Sequence, residues 1–92
     1  MEIIHNKAEQ RIETEVEGYN AHLDYTLTNN DKVINILHTW VPPQIGGKGI
    51  AADLTRFAFE YAKANGLKVT PTCPYTQVFL QRYPEYYELS DN

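Results

Sequence analysis

The ten residues VPPQIGGKGI, Val41 to Ile50, hold three of the chain's five glycines and mark the point where its hydrophobic period changes. Proline donates no ladder hydrogen bond and restricts the residue before it, so Pro42-Pro43 must end the strand that precedes them. From Lys48 or Gly49 onward, Ile50, Leu54, Phe57, Ala58, Tyr61 and Ala62 fall on one stripe. Asp53, Arg56, Glu60 and Lys63 face away, which is the pattern of an amphipathic helix. A junction of strand, glycine loop and helix start can aim several unpaired backbone amides at one anion. Glycines let that backbone approach a ligand and reach dihedral angles closed to other residues. Lys48 adds a mobile positive charge, and the combination suits a diphosphate. Two other phosphate sites do not fit. Lys48 is followed by glycine where a P-loop needs Ser or Thr. A dinucleotide site needs GxGxxG within a βαβ unit, whereas this loop follows a meander. The plain alternative is a glycine-rich turn that binds nothing.

Upstream of the prolines the period is two. Arg11 to Val16 alternates, with Ile12, Thr14 and Val16 on one face. Glu17-Gly18 makes a tight turn into YNAHLDYTLT. That stretch sets Tyr19, Ala21, Leu23, Tyr25 and Leu27 against Asn20, His22, Asp24, Thr26 and Thr28, as in a half-buried strand. Asn29, Asn30 and Asp31 form the next turn. KVINILHTWV is a third strand carried by Val33, Ile34, Ile36 and Leu37, and the three together read as an antiparallel meander.

Downstream, Asn65-Gly66 stops the helix, with Gly66 suited to the left-handed position after its last turn. Leu67 to Thr70 is a further strand, and the order strand, helix, strand predicts a parallel, right-handed crossover. Thr72-Cys73-Pro74 opens a short helix with Pro74 at its first position. Val78, Phe79, Arg82 and Tyr83 are expected on its inner side. In PEYYELSDN, Tyr86 or Tyr87 packs before the end frays. The fold class is α/β, in one domain over residues 1–92.

Composition narrows the function. Eight Lys and Arg stand against twelve Asp and Glu, for a formal net charge of -4, and the basic residues form no run. Nucleic acid is disfavoured as a partner, because phosphate-backbone affinity needs clustered positive charge. A site built from backbone amides escapes that exclusion, and the acidic balance mildly favours a cationic acceptor. No stretch approaches the roughly 18 apolar residues of a membrane span. One cysteine forms no internal disulfide. A soluble, cytoplasmic protein is expected, and nothing in the sequence sets an oligomeric state.

Gln44, Gly47 and Gly49 match the [QR]xxGx[GA] signature of the GCN5-related N-acetyltransferases, the GNAT superfamily. The segments HTWVPPQIGGKGIAADL, AFEYAKANGLKVTPTCPY and FLQRYPEY resemble more closely its small single-domain branch, the YjdJ-like or NATD1-like proteins. The resemblance covers most of the chain, least specifically its first ten residues. It implies a minimal GNAT fold: an antiparallel meander, a central helix, a parallel strand and a short C-terminal helix. It implies acetyl-coenzyme A as the cofactor, with the pyrophosphate on the amides of Gly46, Gly47, Lys48, Gly49 and Ile50. The pantetheine arm would pass near Trp40 and Val41. The acceptor would be a small amine or a protein lysine. The small branch lacks the helical insert that builds the acceptor side of larger relatives.

Two residues are candidates for the chemistry. Cys73 sits at a predicted helix start, where free amides favour the thiolate, and could accept an acetyl group. Its other reading is a small buried hydrophobe. His38, polar in an apolar strand, could deprotonate an ammonium or activate Cys73, if the fold brings the two together. Its other reading is a satisfied edge or core histidine. His22 reads as solvent-facing on the polar strand face, His5 carries no functional claim, and the three histidines and one cysteine lack the spacing of a metal site. Tyr75 and Tyr83 could border a groove, or simply edge the core.

Overall fold

The computed structural model describes residues 1–91. Five strands form one sheet in sequence order: β1 Ile3–Asn6, β2 Arg11–Val16, β3 Tyr19–Thr28, β4 Val33–Trp40 and β5 Lys68–Pro71. The first four pair antiparallel and β4 pairs parallel with β5, across a crossover that carries α1, Ile50–Ala64. A second helix, α2, spans Pro74–Arg82, and a 3-10 turn spans Pro84–Leu89. This is the minimal GNAT topology.

β1 has no counterpart in the sequence reading. Its four residues IIHN show no clear alternation, and the four-residue turn that joins it to β2 carries no glycine or proline. Ile3 packs against the core, and His5 meets Tyr25, Phe57 and Tyr61 edge-on. His5 Nε2 lies 2.7 Å from the Tyr25 hydroxyl. Burial, and then the nearby Lys7 charge, hold the His5 pKa below its usual value. The neutral ring therefore clasps the sheet edge to the helix.

The core lies between the sheet and α1. Ile12, Ala21, Leu23, Ile34 and Ile36 face Ile50, Leu54, Ala58 and Ala62, all buried. Phe57 and Tyr61, expected on the same stripe, are half-buried at its rim. Phe59 and Thr55 lie off that stripe, yet both are fully buried. A second helix explains them. Phe59 stacks on Phe79 of α2 at 5.5 Å and tilts against Tyr86 at 5.2 Å, so α1 has two buried sides.

Two details at the C-terminus differ from expectation. In α2 the buried residues are Thr76, Phe79 and Leu80, while Val78 is 42% exposed and does not face inward. Phe79, stacked on Phe59, takes the inner side with Thr76 and Leu80, which leaves Val78 outward. The tail stays attached through Asp91 after its tyrosines, and Asn92 lies outside the described residues. Tyr86 is buried and Tyr87 exposed, Ser90 bridges Val69, and the Asp91 amide donates to the Val69 carbonyl at 2.7 Å.

Candidate functional site

The sheet opens at one point. β5 follows β4 only from Val33↔Lys68 to Ile36↔Pro71, and the last link is the Cys73 amide donating to the Ile36 carbonyl at 2.9 Å. β4 then continues with β3 alone, through a register shift that leaves Leu37 as an extra residue between Ile36 and His38. A bulge inserts one residue on one strand and re-aims those that follow. Without it, alternation from Ile34 and Ile36 would carry His38 to the core face. With it, Thr39 pairs with the buried Leu23 and faces inward, while His38 pairs with Asp24 on the opposite face.

This corrects the suggested partnership of His38 and Cys73, because the bulge puts their side chains on opposite faces of the sheet. His38 is exposed and sits 6.1 Å from the His22 ring, centre to centre. His22 Nε2 lies 3.4 Å from Asp24 Oδ2, and Arg11 holds Asp24 from the other side at 2.7 Å. Burial lowers the His22 pKa most; Asp24 opposes that shift, and the Arg11 and His38 charges add to it.

The partner of Cys73 is Thr39. The thiol donates to Thr39 Oγ1 across 3.6 Å, and Cys73 is the N-cap of α2 with only 5% of its surface exposed. Burial pushes the Cys73 pKa up. The Thr39 hydroxyl, the Thr76 and Tyr75 amides and the Thr76 hydroxyl outweigh it, and the thiol sits below its ordinary value. The predicted setting at a helix start is present, and the thiolate is favoured there.

The glycine loop closes the other end of the opening. Pro43–Ile45 makes a 3-10 turn that buries Ile45. Gly47 and Gly49 then take φ of +76° and +77°, in the left-handed region that favours glycine. Gly49 is the N-cap of α1 and offers no side-chain cap, so the first amides of the helix have no internal acceptor. A Cβ added at Gly47 or Gly49 would meet no atom within 4 Å, so the loop's outer surface is open to an approaching group.

A crevice of about 260 Å³ joins the loop to α2. Val41, Gly46, Gly47, Gly49 and Ile50 line it, as does Tyr75, one of two tyrosines expected to border a groove. Three residues anticipated as cofactor contacts do not line this crevice. Trp40 pairs with His22 on the open face of the sheet, and its side chain is 46% exposed. Gln44 is exposed and does not line the crevice. Lys48 points back to Glu17, Nζ to Oε2 3.0 Å. The cation on the crevice wall is Arg82. The sequence carried no signal for Arg82 at this wall, because its position depends on where α2 docks. Ala51 and Ala52 complete the wall from the first turn of α1, where a small residue leaves the amides accessible. A larger hollow of about 340 Å³ lies on the sheet between Ile4 and His22, away from Cys73 and the glycines.

A five-stranded sheet whose last two strands part, a glycine-rich helix start and a buried thiol at the start of the next helix define a small α/β protein of the GNAT fold. The family model of GCN5-related N-acetyltransferases matches residues 11–89, and the chain belongs to that family. Within it, the chain is similar to the small NATD1-like proteins. It is 34% identical to Protein NATD1 of Xenopus tropicalis over 53 residues, which are 58% of this chain and 49% of that one. It is 32% identical to Protein NATD1 of Bos taurus over 53 residues, 58% of this chain and 47% of that one. The chain thus spans about half the length of the curated relatives it matches. A GCN5-like protein of Staphylococcus aureus, solved by NMR, superposes with a TM-score of 0.75 at 26% identity, over 97% of this chain and 86% of that one.

Among the described residues, no group of three or more His, Cys, Asp or Glu is placed to hold a metal ion. No described helix is long and apolar enough to cross a membrane.

Proposed function

We propose that the protein is an acetyl-coenzyme A-dependent N-acetyltransferase that passes the acetyl group through Cys73 to an amine. The observation that carries this reading is the setting of Cys73. It is the chain's only thiol, buried at the mouth of the parted strands, hydrogen-bonded to Thr39, and held below its ordinary pKa although burial opposes that.

The residues fit the coenzyme. The amides of Gly47 to Ala52 face an open surface that suits a pyrophosphate, Arg82 supplies a cation, and Val41 with Tyr75 offers an apolar wall for the pantetheine arm. Acetyl-coenzyme A supplies a thioester already activated for acyl transfer. The Cys73 thiolate attacks that carbonyl, its sulfur–carbon bond forms as the coenzyme's breaks, and the coenzyme leaves as the thiol after taking up a proton. A neutral acceptor amine then attacks acetyl-Cys73, which restores the thiol. The acceptor is a small amine or a protein lysine, a cationic class that the chain's formal net charge of -4 mildly favours.

Mixing protein with acetyl-coenzyme A, quenching in acid and measuring the intact mass tests this directly. One acetyl group on Cys73, absent from Cys73→Ala, is expected. Turnover that persists in Cys73→Ala would replace the relay with direct attack by the amine. Failure of the folded protein to bind the coenzyme at all would leave an interaction module.

A further inference from the structure

Thr76 is fully buried in the first turn of α2, and its Oγ1 has no hydrogen-bond partner among the described residues. A buried hydroxyl left unpaired costs its desolvation with nothing in return, so such a group calls for an explanation. Its position relative to Cys73 is fixed by the helix. Cys73 is the N-cap of α2, Thr76 lies three residues on, and the Thr76 amide donates to the Cys73 carbonyl at 3.0 Å. Side chains at the N-cap and the third helical position face each other across the first turn, which is the geometry a capping box uses. Here no side-chain bond closes that cap.

The protonation state of the sulfur explains the unpaired hydroxyl. A neutral thiol has one proton, which is directed at Thr39, and it is a weak acceptor. A thiolate is a strong acceptor and can take several donors at once. We infer that Thr76 Oγ1 is a donor reserved for the Cys73 thiolate, unpaired while the sulfur is protonated and bonded to it once the proton leaves. The hydroxyl makes no hydrogen bond to the neutral thiol. Burial raises the Cys73 pKa, and the Thr76 hydroxyl is one of the groups, after Thr39 and two amides, that bring it down. Thr76 acts through Cys73 and is therefore a positioning residue. The inference deepens the relay reading, but it needs only that Cys73 ionises.

The test titrates the sulfur itself. Cys73 is the sole cysteine, so thiolate absorbance in the ultraviolet and the rate of alkylation by iodoacetamide both report it across pH. Thr76→Val keeps the shape and removes the hydroxyl. Its titration is expected to move to higher pH, with alkylation near neutrality slowed on the order of tenfold, as loss of one charge-assisted bond implies. Its melting temperature should hold or rise, since an unpaired hydroxyl has been removed. Thr76→Ser should restore the wild-type titration. If valine is not tolerated, Thr76→Ala reads the same shift. A wild-type titration in the valine or alanine variant overturns the inference, and so does an equal shift in the serine variant. A shifted titration in a protein that acetyl-coenzyme A never labels would uphold Thr76 and sink the relay.

Discussion

Lys48 Nζ lies 3.0 Å from Glu17 Oε2, which ties the glycine loop's one cation to the turn between β2 and β3 and turns it from the crevice. Both side chains are largely exposed, and such pairs contribute about 0–1 kcal/mol. Lys48→Ala should therefore change coenzyme affinity by less than about threefold. Arg82→Ala should weaken it about tenfold, the size of one charged hydrogen bond. Calorimetric titration of both variants with coenzyme A checks the ranking, and a larger loss in the Lys48 variant would reverse it.

Gly47 and Gly49 are needed for their dihedral angles, and neither would clash with an added Cβ. Gly49→Ala should cost about 1–2 kcal/mol, a fall in melting temperature on the order of 4–8 °C per kcal/mol for a chain this small. Gly47→Glu bears a similar strain and also puts a carboxylate where a phosphate would sit. It should remain folded by circular dichroism while losing coenzyme binding. Retained binding would move the site away from the loop.

Thr39→Val removes the hydroxyl that bonds Cys73 and should raise the thiol's pKa, slowing acetylation most at neutral and lower pH. His38→Ala should leave the thiol titration unchanged, because His38 lies on the other face of the sheet. Stopped-flow alkylation across pH distinguishes the two. A shift in the His38 variant would mean that the two groups communicate through the notch beyond Ile36.

Tyr86 is raised to about 12, by burial first and then by donating its hydroxyl proton to Glu60 Oε2 at 2.6 Å. The unfolded phenol ionises near 10. Between those values the folded state binds more protons than the unfolded one, so stability falls as pH rises through the window. It is fully present below pH 10. Tyr86→Phe should be less stable at neutral pH, having lost the Glu60 bond, and should lose less on alkaline titration. Urea unfolding at pH values on either side of the window measures both.

Much of the fold was legible because local patterns suffice for it. Alternation in Arg11–Val16 and Tyr19–Thr28, two prolines and the 3.6 stripe from Ile50 set three strands and the central helix. Contacts between elements hid the rest. β1 exists because β2 offers an edge and His5 reaches Tyr25, and Phe59 is buried because α2 packs beside α1. The candidate site divides the same way. Gly47, Gly49 and Cys73 were visible as residue types at element ends, while Thr39, Thr76 and Arg82 were not, since each acts through a contact distant in sequence or across a helical turn.

The sequence by itself determined the family, the strand-loop-helix junction and the presence of a single thiol at a helix start, because these follow from spacing and from the angles glycine and proline allow. Only the tertiary structure decided which neighbours that thiol has. One extra residue at Leu37 reverses the facing of everything after it on β4, so Thr39 and not His38 meets Cys73. A bulge is set by the register between two strands, and register is a property of the pair that neither sequence carries alone.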